Sequence, residues 1–186
     1  MMTNPIDPAV LRELLRYEPE TGKLYWLSRS LHHFKSTAKR SAEWNCAAWN
    51  AKNAGKEAFT AGGSGYRSGA IYRRNYGAHR VVWAIVHGMW PKMIDHINGD
   101  PSDNRLENLR EVTSAENQKN LKLRSDNTSG RIGVSWDSAR KRWSAEIISK
   151  GRHLHLGRFR SKSAAIQARK MAEQTHGFHP NHGRQA

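Results

Sequence analysis

Residues 94–120, IDHINGDPSDNRLENLREVTSAENQKN, can fold in few ways. Residues 93–97 read as a strand, Asn98-Gly99 and residues 101–104 carry turn chemistry, and residues 109–112 read as a second strand. Thr113 or Ser114 then caps a helix, with Glu116 placed to close a capping box on Thr113. The order is strand, loop, strand, helix. Turn geometry accounts for Asn98 and Asn104 but not for Asn117. That residue lies in the helix's first turn, where unpaired amides and the positive end of the dipole favour an anion such as phosphate.

If the helix packs across the two strands, Asn117 approaches the end of the first strand and meets Asp95. A carboxylate and an amide oxygen are hard ligands that suit Mg²⁺, an ion that leaves its other positions to water and phosphate oxygens. His96 is then the nearest base, because an imidazole of ordinary pKa about 6.5 is largely neutral near pH 7 and can take a proton from water. In a regular strand Asp95 and His96 point to opposite faces. Convergence therefore requires the strand to bend or end here, and the Asn-Gly pair just beyond provides for that.

Composition narrows the partner. The 186 residues hold 31 Lys and Arg against 16 Asp and Glu, a formal charge of +15, which favours a polyanion. The basic residues are dispersed among Asn, Gly and aromatics, so nucleic acid fits better than a membrane surface, which would be met by one basic amphipathic helix. The longest apolar run, residues 81–86, is too short to span a bilayer, and residues 1–10 lack the apolar segment of a signal peptide. Cys46 stands alone, so no internal disulfide and no multi-cysteine zinc site can form, as suits a reducing cytoplasm.

Along the chain, Asp7 caps a helix with Pro8 at its first position and Leu11, Leu14 and Leu15 on one face. A turn over residues 19–22 leads to a strand at 24–27. Residues 28–61, with His32, His33, Trp44 and Trp49, show no pattern that assigns an element. Glycines 62, 63, 65 and 69 punctuate short strands, and HRVVWAIVHGMWP reads as a buried helix stopping at Gly88. Residues 124–129 lie in a polar connector. From Gly130 the pattern alternates as three strands and then a helix with Ala164, Ala165, Ala168, Met171 and Ala172 on one face. The fold class expected is α+β, in five parts: a supporting region 1–78, a core 79–123, a linker 124–129, a strand module 130–180 and a tail 181–186.

The combination DHINGDPSDNRLENLREVTSAENQKN, preceded by HRVVWAIVHGMWP, closely resembles the HNH endonucleases of phages and mobile introns, whose fold is the ββα-metal motif. The pattern's first position falls on His96, its middle Asn on Asn108, and its last on Asn117, where the family name has His; some free-standing homing members are similar in having Asn there. The resemblance implies that Asp95 and Asn117 hold Mg²⁺ or Mn²⁺, that His96 activates water, and that Asn108 braces the loop and orients His96. It further implies hydrolysis of duplex DNA to 3′-hydroxyl and 5′-phosphate ends by a phage-encoded enzyme acting in a bacterial cytoplasm. One metal site cuts one strand, so a nick is the single event, and a double-strand break requires a dimer or a second visit.

In the strand module, alternation puts Trp143, Ala145 and Ile147 inward and Arg142, Ser144, Glu146 and Ile148 outward, with Leu154 and Leu156 inward and His153 and His155 outward. GVSWDSARKRWSAEI, LGRF and SAAIQARKMAEQTHG resemble the APETALA/ethylene-response-factor DNA-binding domain, a three-stranded antiparallel sheet packed on one helix that lies in the major groove. By that resemblance Arg140, Arg142, Glu146, Arg152 and Arg158 are DNA contacts; Ile148 stands where plant members commonly have Arg, which implies a different base preference.

Three further signals carry less. His176, His179 and His182 have ligand-like spacing in a terminal tail. His32, His33 and His87 lack partners at useful spacing and read as surface or packing residues. Arg80, with His79 beside it, begins the apolar helix before the site as a candidate phosphate contact. The expectation is a metal-dependent DNA endonuclease of homing type; the alternatives are a non-catalytic DNA-binding regulator that keeps the scaffold and, third, a structural RNA-binding protein.

Overall fold

The structure, a computed structural model, describes residues 5–63 and 65–184. The chain divides into two compact units, Met1–Glu111 and Val112–Ala186. Both mix helix with small antiparallel sheets, so the α+β class holds. Among the described residues no helix is long and apolar enough to cross a membrane.

The first unit opens with α1 (Pro8–Leu14), where the Asp7 side chain accepts from the Ala9 amide at 2.8 Å and Pro8 occupies the first turn. Leu11 and Leu14 are buried on α1, whereas Leu15, expected on the same helical face, starts strand β1 (Leu15–Glu18) and is buried from there. β1 pairs with β2 (Lys23–Trp26), and β2 with β3 (Glu57–Ala58). The turn between β1 and β2 needs glycine. Gly22 has φ +71°, and a Cβ there would lie 2.5 Å from the Arg105 amide nitrogen, so the first hairpin presses directly on the loop that holds Asn104 and Arg105.

Residues 28–61, unassigned from sequence, contain a 3₁₀ turn (Leu31–His33) and helix α2 (Ala42–Asn53), whose N-terminus is capped by Ser41. Alpha2 buries none of its residues, which is why no apolar period announced it. It is held by a few polar and aromatic contacts: the Asn50 amide donates to the Arg29 carbonyl and accepts from the Arg29 amide, both at 2.9 Å, and Trp49 meets Trp26 edge to face with ring centroids 5.5 Å apart. Next come β4 (Ala61–Gly63), β5 (Tyr66–Ile71) and β6 (Arg74–Gly77) in one sheet, then α3 (Ala78–His87). Gly88 ends α3 in the left-handed region at φ 71°. Val81, Val82 and Ala84 face the core, but Val86 is exposed, so this helix, expected to be buried, is buried along one side. That core also takes Leu24, Phe59, Ile71 and, from strand β8 (Leu109–Glu111), Leu109.

In the second unit α4 (Ser114–Gln118) is capped by Thr113 rather than Ser114, with both halves of the capping box formed. Strands β9 (Val134–Asp137), β10 (Arg142–Ser149) and β11 (Arg152–Phe159) make an antiparallel sheet with β10 central, and α5 (Lys162–Thr175) packs on it. Ala145 and Ile147 are fully inward and Ile148 is 61% exposed, as the alternation required.

The α5 face departs from expectation. Ala165, Arg169 and Glu173 are its buried positions, and Met171 is 63% exposed. Two charges replace the apolar stripe because they satisfy each other. Arg169 donates through Nε to Glu173 at 2.9 Å and through Nη1 to the Glu146 carbonyl at 2.5 Å, and Arg131 pairs with the other Glu173 oxygen. Gly133, at φ +73°, lets Arg169 and the Glu146 carbonyl come this close. The polar segment after α4 is not loose either: the Gly183 amide donates to the Leu121 carbonyl and the Leu123 amide to the Arg184 carbonyl, both at 2.8 Å.

Candidate active site

Strand β7 (Ile94–His96) pairs with β8 so that Ile94 faces Glu111, Asp95 faces Arg110 and His96 faces Leu109. The strand ends at His96, and the Gly99 amide donates to the His96 carbonyl at 2.9 Å to start the turn. This is the termination that convergence of neighbouring side chains demanded. Asp95 is 8% exposed and His96 only 4%. Arg110 reaches one Asp95 oxygen twice, from Nε at 3.1 Å and Nη2 at 2.7 Å, which orients the carboxylate.

His96 Nε2 lies 3.3 Å from the Asn104 side-chain oxygen. An amide oxygen only accepts, so in this bond Nε2 carries the proton and the basic lone pair is on Nδ1. Burial pushes the His96 pKa below its ordinary value, against the opposing pull of Asn104 and of Asp95, Asp100 and Asp103. The ring is therefore neutral at pH 7 and able to accept a proton.

Asn104 is itself fixed. Its carbonyl accepts from the Tyr17 hydroxyl at 3.2 Å, and that hydroxyl accepts from the Leu106 amide at 2.9 Å. The first hairpin thus holds the loop that holds His96. Asn108 ties the same loop from the other side: Nδ2 donates to the Asp103 carbonyl, Oδ1 accepts from the Asn98 amide and the Asn108 carbonyl accepts from the Ile97 amide, each at 2.9 Å. Asp103, clamped by Arg105 and by Asn98, completes a loop in which short polar side chains bond back to the backbone.

One neighbour was not singled out as part of this site. His79, at the start of α3, has its ring centroid 5.3 Å from that of His96, and Tyr66 of β5 lies 5.5 Å from His79 and 5.8 Å from His96. Burial, then His96 and Arg80, push the His79 pKa down to about 4, so two neutral imidazoles sit side by side. The signal available in sequence was a histidine at the mouth of a helix otherwise buried. Arg80 turns its guanidinium to the Pro91 and Lys92 carbonyls at 2.7 and 3.3 Å, a tie between α3 and the approach to β7.

Asn117 sits in the first turn of α4, in the second unit. Asp95, His96 and Asn108 are brought together within the first unit. Of the sheet residues, Arg142, Glu146 and Arg158 share the outward phase, since Arg142 pairs with Asp137 and Arg158 with Ser144. Arg140 and Arg158 both reach Asp137, at 3.2 and 3.5 Å, and Glu146 meets His153 at 3.2 Å. Arg152 falls at the opposite phase, across from buried Ser149. His182 is buried against Arg169, and among the described residues the metal-ligating types that cluster are Glu13, His32 and His33 rather than the three C-terminal histidines. His32 and His33 therefore do have a partner, which the sequence reading missed because it comes from α1.

Residues 76–119 match the HNH endonuclease family, which defines the class of this site: an HNH endonuclease domain spanning the end of β6, α3, the β7–β8 ribbon and α4. A second comparison covers more of the chain. Protein 3.8 of Escherichia phage T7 is 38% identical over 86 residues, covering 44% of this chain and 71% of that protein. The chain belongs to the family of that phage protein and, over residues 76–119, carries an HNH endonuclease segment. No solved structure matches the chain.

Proposed function

We propose that the chain is a divalent-metal-dependent HNH endonuclease of homing type that hydrolyses phosphodiester bonds in duplex DNA. The observation that carries this reading is the buried Asp95–His96 pair at the end of β7, inside the segment that matches the HNH endonucleases. The ββα-metal core would be β7, β8 and α4. Asp95 and Asn117 would hold Mg²⁺ or Mn²⁺, and their donor types fit, since a carboxylate and an amide oxygen are hard ligands.

His96 takes a proton from water through Nδ1, the nitrogen that the Asn104 bond leaves basic. The water oxygen then forms a bond to phosphorus while the bond to the 3′ oxygen breaks in line, and that oxygen leaves as a 3′-hydroxyl by taking a proton from solvent water. A cation held by Asp95 and Asn117 would supply Lewis-acid stabilisation of the added phosphate charge and of the departing oxygen. Asn108 serves as a positioning residue that keeps the loop, and through it His96, in place. The second unit's sheet, with Arg142, Glu146 and Arg158 outward and Arg140 and Arg152 at its ends, would lie on duplex DNA in the manner of APETALA/ethylene-response-factor domains.

The test is a supercoiled plasmid library carrying random inserts, incubated with Mg²⁺. The natural chain relaxes it to nicked circles bearing 3′-hydroxyl ends, and His96→Ala binds DNA but leaves the circles closed. No nicking by the natural chain with Mg²⁺ or Mn²⁺, while DNA binding persists, overturns the nuclease reading in favour of a regulator.

A further inference from the structure

The segment that sequence reasoning left unassigned brings together a second set of ligating side chains. Glu13 projects from the last turn of α1, and the 3₁₀ turn Leu31–His33 presents two successive imidazoles to it. His32 Nε2 and His33 Nε2 lie 3.6 and 3.5 Å from the same Glu13 oxygen, and the three donor atoms all lie within 4.8 Å of one another. These spacings exceed the roughly 2.7–2.9 Å of a charge-assisted hydrogen bond. They match a shared ion instead: two ligands each about 2.0–2.1 Å from a tetrahedral Zn²⁺ stand roughly 3.4 Å apart.

The outer partners are also in place. His32 Nδ1 meets the Ser30 hydroxyl at 2.8 Å and His33 Nδ1 meets the Tyr72 hydroxyl at 2.7 Å. When each Nδ1–H donates to its hydroxyl oxygen, both Nε2 lone pairs lie on the carboxylate side, the tautomer in which outer partners orient imidazoles toward a shared cation. Tyr72 reaches His33 from the β5–β6 turn, where Tyr72 and Arg73 hold φ values of 47° and 64°. Left-handed backbone is unfavourable for a non-glycine residue, so the turn is held there by its surroundings. One charge opposes a cation, that of Arg29, which stacks on Trp26, Trp49 and Tyr72. Glu13 supplies the opposing negative charge.

We propose that Glu13, His32 and His33 form a second metal site that takes a borderline divalent ion, Zn²⁺ in preference to Mg²⁺, with water completing its coordination. Two imidazoles select against Mg²⁺, which separates this site chemically from the hard-donor set at Asp95 and Asn117. The ion ties α1 to residues 28–61 and, through Tyr72, to the β5–β6 hairpin. The site does not depend on the nuclease reading.

Metal-stripped full-length protein titrated calorimetrically with Zn²⁺ tests it. The natural chain and His96→Ala each bind one equivalent at this site. Glu13→Gln and His32→Ala lose it, and Tyr72→Phe weakens it about 10–100-fold, as loss of an outer partner does elsewhere. Zn²⁺ also raises the unfolding midpoint of the natural chain but not of His32→Ala, whose midpoint in EDTA equals that of the natural chain because the side chain is exposed. Unchanged Zn²⁺ stoichiometry in folded Glu13→Gln and His32→Ala, or no Zn²⁺ bound by the natural chain, overturns the proposal.

Discussion

Asn108→Ala separates the bracing of the loop between β7 and β8 from the chemistry proposed for it. Asn108 is 6% exposed, and its side chain makes two bonds of 2.9 Å, to the Asp103 carbonyl and from the Asn98 amide. Truncation leaves both backbone groups without their partner. Each such loss costs about 1–3 kcal/mol, so with some water entering the gap the loop is weakened by about 2–4 kcal/mol. The core beneath, built on Leu24, Ile71 and Val82, is untouched. Native-state hydrogen exchange reads this directly: the Asn98 amide loses protection, while amides of β5 retain theirs. Nicking falls on the order of 10²-fold, the consequence of a base displaced by about 1 Å. Asn108→Asp keeps the acceptor for Asn98 but sets a second oxygen against the Asp103 carbonyl, so it restores part of the exchange protection and little of the nicking. Unaltered Asn98 exchange in Asn108→Ala, or full nicking despite lost protection, refutes the bracing role.

Other perturbations have equally definite outcomes. Glu173→Ala strands Arg131 and Arg169 at a buried position and lowers second-unit stability by about 3–5 kcal/mol, measured by urea unfolding followed through Trp136 and Trp143; a loss under about 1 kcal/mol contradicts the account. Burial pushes His182 down to about 4, so the unfolded chain binds its proton first, and second-unit stability is lost as pH falls from the ordinary value of 6.5 towards 4. At about 1.4 kcal/mol per pH unit this amounts to about 3 kcal/mol, and His182→Gln flattens that part of the pH profile. If Arg142 and Arg158 meet phosphates, alanine at either reduces the salt slope of DNA binding by about one, whereas an unchanged slope removes that residue from the contact set.

Local signals were legible where chemistry and geometry coincide within a few residues. The strand, turn, strand and helix of residues 94–120, the Thr113–Glu116 capping box and the inward Ala145 and Ile147 all follow from short-range rules. The misses share one cause, which is convergence across long separations. Glu13 meets His32 and His33 only because α1 and the 3₁₀ turn are packed together, and His79 meets His96 only because α3 lies beside the β7–β8 ribbon. Alpha2 carries no buried apolar stripe, because it is held by the Asn50–Arg29 bonds and the aromatic contact of Trp49 with Trp26. The face of α5 was misread because Arg169 and Glu173 occupy the inward stripe, an arrangement stable only with Arg131 and the Glu146 carbonyl, neither of which is adjacent in sequence.

The most direct measurement is anomalous diffraction from crystals of the protein soaked in Mn²⁺. The account predicts an ion about 2.1 Å from both an Asp95 carboxylate oxygen and the Asn117 amide oxygen, a separation typical of small hard divalent ions, with the His96 ring facing the same water-filled space. Ion density that engages Asp95 without Asn117, or His96 turned away from that space, would contradict it.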